Sequence, residues 1–372
     1  MEPLIKWPGG KAGEIPYIQG MIPDFDRYVE PFFGGGALFF HLRPRRAVIS
    51  DVSEDLITFY RLVQVQDPAF HRALDAYRLL WEALLDACRR ESGPLLSLYA
   101  ALRDGALSAE ALEAGLDPLA AGMTEAACGG SEGLCVPDRA RFRRRLVRTA
   151  ADKMRRTARN EAGQPFSGPD LRENLITGFM SGAYLCFRDV YNDIRAGRLP
   201  GVTPAQAAAN FYFIREYCYG SMFRYNRRGE FNIPYGGMSY NRKDLGAKVD
   251  RIFSPETGDL FRGADIRCMD FEALLDSLDL TERDFLFLDP PYDTSFSDYE
   301  GRSFTRDDQR RLAAALERTR ARFILVIQNT GFIRSLYESG FTVLRFDRTY
   351  AYNMRGRNSR SVEHLIVTNL PR

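Results

Sequence analysis

The sequence of 372 residues holds only three histidines, none beside a serine or cysteine motif, so a nucleophilic triad has little to be built from. Its six cysteines show no paired metal-ligand spacing, Cys128 and Cys135 being the nearest pair, which argues against a metal site. Reduced thiols in a cytoplasmic protein follow as the expectation. No apolar run is long enough to cross a bilayer, and Met1-Glu2-Pro3-Leu4 lacks the basic and apolar regions of a secretion signal. Charge of one sign is also lacking: a net +2 neither demands nor excludes nucleic acid, so the distribution of charge has to decide. A 45% hydrophobic and 27% charged composition is that of a globular protein, and the length suits roughly two domains.

What the chain does have is a rigid, acceptor-rich turn. Asp289-Pro290-Pro291-Tyr292 follows the apolar run Phe285-Leu286-Phe287-Leu288, where a buried strand empties into a loop. The prolines cannot continue the strand or donate backbone hydrogen bonds, so carbonyls point outward beside the Asp289 carboxylate, and Tyr292 adds a ring. Acceptors beside an aromatic face suit a flat heterocycle with an exocyclic amino group; an ordinary strand-ending Asp-Pro turn has the same composition.

Several stretches upstream fit such a ligand. Lys6-Trp7-Pro8-Gly9-Gly10-Lys11 reads as a close-approach loop, with a plain terminal turn as the alternative. Tyr28-Val29-Glu30 is a short strand, and Pro31-Phe32-Phe33-Gly34-Gly35-Gly36 turns from it into the apolar Ala37-Leu38-Phe39-Phe40. A strand, a glycine turn and a helix let a ligand approach the backbone and aim helix N–H groups at it, although the spacing is not GxGxxG. Ala47-Val48-Ile49-Ser50-Asp51 is a second strand, ending in a carboxylate where doubly wound folds present an acid to ribose hydroxyls. Asp51 as the cap of a helix beginning near Glu54 is equally open, and Ser53 can serve that cap instead.

From about Leu62 to Pro204 helical periodicity replaces the strand–helix alternation, which marks a large insertion in a sheet fold. Gly129-Gly130-Ser131-Glu132-Gly133 reads as loop or disorder. Residues 139–159 are rich in arginine, with Phe142, Leu146, Ala150 and Met154 at every fourth position. That is an amphipathic helix with a basic face, either a salt-sensitive phosphate-contacting surface or a solvated one. Residues 210–219 are dense in aromatics, and 220–237 mix Arg and Asn with rings and glycines. Forked Arg donors match guanine edges and phosphates, Asn matches adenine edges, and rings fill a gap in a base stack; a purely structural hairpin is the alternative. The sheet resumes with strands over 264–271, ending in an acid, 285–288, 323–327, 342–346 and 364–367, with a helix over 305–318 opened by a Thr305/Asp308 capping box. His364 reads as a core or edge residue.

Taken together, the Lys6–Lys11 loop, the Pro31–Gly36 turn, the helical region 62–250 and Asp289–Tyr292 resemble the Dam-like, alpha-group (D12 class) DNA adenine-N6 methyltransferases. Arg224-Tyr225-Asn226 with Gly229-Glu230-Phe231-Asn232-Ile233-Pro234 is similar to that family's recognition hairpin. The resemblance covers both ends of the chain and 205 onward, and does not extend over about 85–165. It implies an α/β fold: a Rossmann-like S-adenosylmethionine-dependent methyltransferase sheet with a large, mainly helical target-recognition insertion carrying a β-hairpin. Residues 1–61 and 250–372 are then the catalytic domain. Residues 62–249 are the DNA-binding domain, with an extra Arg-rich insertion near 85–165.

The resemblance further implies an S-adenosylmethionine site built from Trp7, Lys11, Phe32, Phe33, Gly34, Gly36, Asp51 on the ribose, Asp270 near the cofactor adenine, Phe271 and Asp289. It makes Asp289, Pro290, Pro291 and Tyr292 the catalytic group: the Asp289 carboxylate and Pro290 carbonyl hold the target amino group, and Tyr292 stacks on a flipped base. DNA contacts fall to Lys6, Tyr219, Met222, Arg224, Asn226, Asn232 and Pro234. Double-stranded DNA is the implied partner, with no metal and no membrane, and a cognate restriction endonuclease belongs to one setting of such enzymes. The implied place is the cytoplasm, at a bacterial nucleoid or in a phage-infected cell. Gly220, Met222 and Gly237 depart from the GATC-reading branch, which has Asn, Leu and Arg there, so GATC recognition does not carry over. Methylation of cytosine N4 or RNA adenine, and a non-enzymatic DNA-binding protein, are the competing readings. Cytosine-N4 enzymes more often place Ser before Pro-Pro-Tyr, and intact Asp289, Gly34, Gly36 and Asp51 argue against the non-enzymatic reading.

Overall fold

A computed structural model describes residues 1–10, 13–129, 135–161, 163, 165–222, 224–292, 298–299, 302–349 and 361–370. The chain forms two compact units, Met1–Val65 with Ser254–Arg372, and Gln66–Phe253.

The first unit is built on a seven-stranded sheet of β1 (Arg27–Glu30), β2 (Ala47–Asp51), β3 (Ala264–Cys268), β4 (Asp284–Leu288), β7 (Arg322–Gln328), β8 (Thr342–Thr349) and β9 (Ser361–Thr368), in the order β3-β2-β1-β4-β7-β9-β8. A two-stranded ribbon, β5 (Asp298–Tyr299) with β6 (Arg302–Ser303), stands apart from it. The first five strands of that order run parallel, and β9 runs antiparallel to both neighbours. Buried parallel strands need apolar side chains on both faces, which is why β4 reads Asp-Phe-Leu-Phe-Leu with every residue buried. Tyr28 is in register with both Ala47 and Phe285, so the carboxyl ends of β1, β2 and β4 open on one edge. Strand order reverses between β1 and β4, which makes that edge the crevice where doubly wound sheets take ligands.

Helices are numbered along the whole chain. On one face α12 (Phe271–Asp276), α13 (Arg306–Arg318) and α14 (Gly331–Tyr337) bury Leu274, Leu312, Leu316, Ile333 and Tyr337 against Val29, Leu286, Phe323 and Leu325. Elsewhere in the unit α2 (Ala37–Leu42), α3 (Glu54–Gln64) and α11 (Pro255–Phe261) share an aromatic cluster in which Phe39, Tyr60 and Phe261 meet at 5.2–5.6 Å. A short α1 (Ile15–Ile18) precedes β1. Strand β3 stops at Cys268, short of the expected 264–271, because Asp270 leaves the ladder to cap α12, its side chain accepting from Glu272 N–H. The capping box at Thr305 and Asp308 is formed.

The second unit consists of α4 (Pro68–Arg90), α5 (Ser92–Arg103), α6 (Ala109–Cys128), α7 (Arg139–Glu161), α8 (Gly168–Arg195), α9 (Pro204–Tyr217) and α10 (Leu245–Ile252). Its centre is aromatic: Trp81 lies 5.2 Å from Phe213 and 4.7 Å from Tyr217, and Phe187 lies 5.0 Å from Phe213. Phe142, Leu146, Ala150 and Met154 are buried along α7, as their spacing requires. The backbones of α7 and α8 approach closely at Gly182, where an added Cβ would lie 3.0 Å from the Leu146 Cα. Of the expected loop at 129–133, Gly129 caps α6 and the remainder lies outside the described residues.

Candidate active site

The first unit carries a cleft at the sheet's carboxyl edge, about 1150 Å³ out to its open mouth. Trp7, Phe32, Phe33, Gly34, Gly36, Asp51, Asp270, Phe271, Asp289, Pro290, Pro291 and Tyr292 all line it. Lys11 lies outside the described residues, and Lys6 is exposed and does not line the cleft.

Local chemistry explains the geometry at each edge. Gly34 adopts φ +48°, and a Cβ there would lie 2.7 Å from the Trp7 ring, so only glycine lets the indole close on the turn. Gly36, at φ +65°, starts α2 against the Phe33 ring. The turn's amides are used partly within the fold: Gly34 N–H donates to Asp51 Oδ2 at 3.0 Å, and Gly36 N–H donates to the Phe33 carbonyl at 2.7 Å. Ser53, not Asp51, caps α3, while Asp51 Oδ1 accepts Ser53 N–H at 3.0 Å. The Asp51 carboxylate therefore ties the two strand-end turns together, and its three backbone donors leave part of its acceptor capacity for a ligand. Burial pushes this carboxyl up, against the lowering effect of the N–H groups of Ser53, Gly34 and Val52.

At the end of β4, Gln309 on α13 donates from Nε2 to the Pro291 carbonyl at 2.9 Å. The Tyr292 hydroxyl meets His364 Nε2 at 3.2 Å, so His364, buried on β9, positions the ring of the motif. Phe32, Phe271 and Phe304 form an aromatic wall with centroids 5.4–5.7 Å apart. Asp270 is held from behind by Arg311, whose Nη2 donates to its Oδ1 at 2.7 Å and whose guanidinium lies 4.9 Å from the centre of the Phe271 ring.

Among the cleft residues that sequence reasoning passed over are Phe304 and, more consequentially, Glu30. Buried at 2% exposure, it accepts the Tyr28 hydroxyl at 2.9 Å. Burial raises its carboxyl well above the ordinary range, the Tyr28 hydrogen bond opposes that rise, and Asp289 and Asp51 add to it. A protonated Glu30 removes a like charge from beside Asp289. Its signal was available, since it ends β1 as Asp51 ends β2. Gln309 also had one: a glutamine on the apolar stripe of Leu312, Ala313 and Leu316 needs a buried partner. Arg311 had none.

In the second unit the described residues of 218–236 form a hairpin, bridged at Cys218–Tyr235 and Tyr225–Phe231. Arg215, buried at 1% exposure, holds its base by donating to the Ser221 carbonyl at 2.7 Å and the Met222 carbonyl at 3.1 Å. Tyr219, Arg224 and Pro234 are exposed, while Met222 and Asn232 are half-buried. Arg224 Nε donates to Asn232 Oδ1 at 3.0 Å, which joins two of the expected DNA-contacting residues. Asn226 is committed to the tip: its Oδ1 accepts from the backbone N–H groups of Arg228 and Glu230, and its Nδ2 donates to Glu230 Oε2. Gly220, at φ +63°, and Gly237, at φ +94°, sit where the backbone favours glycine.

A seven-stranded sheet of this order, with a glycine turn after β1, an acid after β2 and an Asp-Pro-Pro-Tyr turn after β4, is the architecture of a methyltransferase. The family model of the D12 class N6 adenine-specific DNA methyltransferases matches residues 7–91 and 173–352, and the chain belongs to that family. Residues 92–172 fall outside the match. The Type II methyltransferase M.CviBI of Paramecium bursaria Chlorella virus NC1A is 23% identical over 376 residues, which is 99% of this chain and 100% of its own length. The DNA N-6-adenine-methyltransferase of Escherichia phage P1 is 24% identical over 98% of this chain and 35% of its own. The DNA adenine methylase of Vibrio cholerae O395 is 22% identical over 99% of this chain and 96% of its own. Among the described residues no helix is long and apolar enough to cross a membrane, and no cluster of His, Cys, Asp or Glu is arranged to hold a metal.

Proposed function

We propose that the chain transfers the methyl group of S-adenosylmethionine to N6 of an adenine turned out of a DNA duplex, in a restriction-modification, phage or regulatory setting. The observation that carries this reading is the convergence of Asp289 and the Asp-Pro-Pro-Tyr carbonyls with Asp51 and the glycine turn in one cleft. The residues fit the cofactor: Asp51 keeps acceptor capacity for a ribose hydroxyl, the turn at Gly34 and Gly36 presents bare backbone, and Phe32, Phe271 and Phe304 offer ring faces to an adenine.

When bound, S-adenosylmethionine supplies an electrophilic methyl group on a sulfonium. The chain's own work is done on the acceptor. An adenine amino nitrogen is a poor nucleophile because its lone pair is delocalised into the ring. The Asp289 carboxylate and Pro290 carbonyl accept hydrogen bonds from its two N–H groups and draw the lone pair out of the ring's π system. Gln309 already engages the Pro291 carbonyl, which favours Pro290 as the prolyl acceptor. Orientation and preorganised acceptors do most of the remaining work, and no strong base is needed because the amine becomes acidic as the C–N bond forms. Tyr292, steadied by His364, stacks on the base and helps to offset an extrusion cost of a few kcal/mol.

In this reading the second unit recognises DNA through Arg224 and Asn232, and its target is not assumed to be GATC, given Gly220, Met222 and Gly237. A cognate restriction endonuclease is the expected partner in the restriction-modification setting, and the bacterial cytoplasm the expected place. The test is methyl transfer from labelled S-adenosylmethionine to plasmid DNA, with each modified base mapped. N6-methyladenine at one short sequence is expected; label on cytosine, on RNA or on no nucleic acid would overturn the reading.

A further inference from the structure

Helix α7 lies within the stretch 92–172 that the family match passes over. It carries ten basic residues and two acidic ones, a net +8, in a chain whose total is +2, so the other residues together carry −6. Its arginines fall into two sets. Arg141 and Arg145 pair with Asp189 of α8, and Arg139, Arg143 and Arg155 pair with Glu125, Asp117 and Glu113 of α6. Arg144, Arg148, Arg156 and Arg159 are exposed and have no carboxylate within ion-pair distance among the described residues. Asp152, on the same outward face, lies 3.7 Å from Arg155.

An ordinary solvated helix face mixes its signs, and this protein shows that elsewhere. On α4 Arg78 lies between Asp75 and Glu82, and on α13 Arg310 and Arg311 pair with Asp307 and Asp308. The outward face of α7 instead sets four arginines against the single carboxylate of Asp152, which is taken up by Arg155. Its four arginines span about 22 Å of helix at 1.5 Å per residue. Close packing of α7 on α8 at Gly178 and Gly182 fixes them to a rigid support. Lys153 beside them is half-buried; burial pushes its ammonium down, and Arg156 pushes it further.

We propose that Arg144, Arg148, Arg156 and Arg159 form a second contact surface for duplex DNA, binding the phosphate backbone without reading sequence. This rests on the proposed reading that duplex DNA is the substrate. Without these four arginines the chain's net charge is −2, so attraction to a polyanion has to come from localised cations, and this face is a concentrated source of them.

The experiment measures DNA affinity against salt for the full chain and for R144Q/R148Q/R156Q/R159Q, on a duplex containing the target with long flanks. Each phosphate contact contributes about 0.9 to the slope of log K against log salt, so the slope should shrink by up to about 3–4. Affinity at low salt should fall at least about tenfold. The methylated sequence and the turnover at saturating DNA stay unchanged. The lysine quadruple variant should keep the wild-type slope. The pairs R144Q/R148Q and R156Q/R159Q, each losing about half, cover the case in which the quadruple variant fails to fold. An unchanged slope in the glutamine variants would overturn the inference alone and leave the face to an acidic protein partner. A wild-type chain that methylates no duplex would overturn the reading beneath it.

Discussion

Gln309 donates from Nε2 to the Pro291 carbonyl at 2.9 Å, across 18 residues of chain, and so ties the Asp-Pro-Pro-Tyr turn to α13. Replacing it by Leu keeps the bulk on the apolar stripe and removes the donor. Methyl transfer should then fall by about 10- to 100-fold, as for other supporting contacts around a reactive site. The melting temperature should move little, because one neutral hydrogen bond is worth about 1 kcal/mol. A Gln309→Leu enzyme with wild-type turnover would show that Pro291 needs no restraint.

Asp289 is assigned the acceptor role on position: it directly follows β4, and it lines the cleft with Asp51 and the glycine turn. Loss of one preorganised polar partner in a closed site costs roughly 10²–10³ in rate, and in the proposed reading this residue is one of two acceptors for the amino group. Asp289→Ala should abolish detectable methyl transfer while S-adenosylmethionine still binds, as measured by calorimetry. Substantial residual turnover would sink the role.

The turn at Gly34 lines the same cleft and belongs to the proposed cofactor site. Alanine there meets the Trp7 ring at 2.7 Å and holds a left-handed φ of +48°. The strain is on the order of 1–3 kcal/mol, and the ring has to move. Thermal stability and cofactor affinity should fall together in Gly34→Ala. If stability drops and affinity does not, Trp7 and the turn are scaffold only.

How much of this was legible beforehand follows from the kind of signal each residue leaves. The parallel strands were readable because burial on both faces forces continuous apolar runs such as Phe285 to Leu288. The helix over 139–161 was readable because Phe142, Leu146, Ala150 and Met154 repeat at the spacing of a buried stripe. Asp289, Asp51 and the glycine turn fall at strand ends, so chain order alone placed them on one edge. Pairings between distant elements leave no such trace. Nothing in the spacing of Arg311 and Asp270, or of Tyr292 and His364, announces a hydrogen bond across 41 or 72 residues. Asp51 remained ambiguous for a related reason, since an N-cap and a bridge between two turns use the same residue at the same place.

Base reading should be concentrated in the Arg224–Asn232 pair. Arg224→Ala should cost about 1–3 kcal/mol of discrimination at one base pair, read as a broadened profile of methylated sites. Because Asn232 Oδ1 holds Arg224 Nε, Asn232→Ala should disturb the same position, and the double variant should lose less than the two singles combined. Additive losses, or an unchanged profile, would count against base reading by this pair.

Glu30 gives a prediction whose sign is fixed by its surroundings. Its carboxyl is raised well above the ordinary value, first by burial and further by Asp289 and Asp51, so between the unfolded and folded pKa values the native state keeps a proton that the unfolded chain has released. Stability therefore falls as pH climbs through that window, and the loss persists above it. Glu30→Gln imitates the protonated acid and keeps an acceptor for the Tyr28 hydroxyl. The variant should melt higher than wild type at pH 7–8, and the two curves should converge near the ordinary glutamate pKa of about 4.3. Melting curves recorded across that range decide it: a wild type more stable than the variant at neutral pH would mean that Glu30 is ionised in the fold.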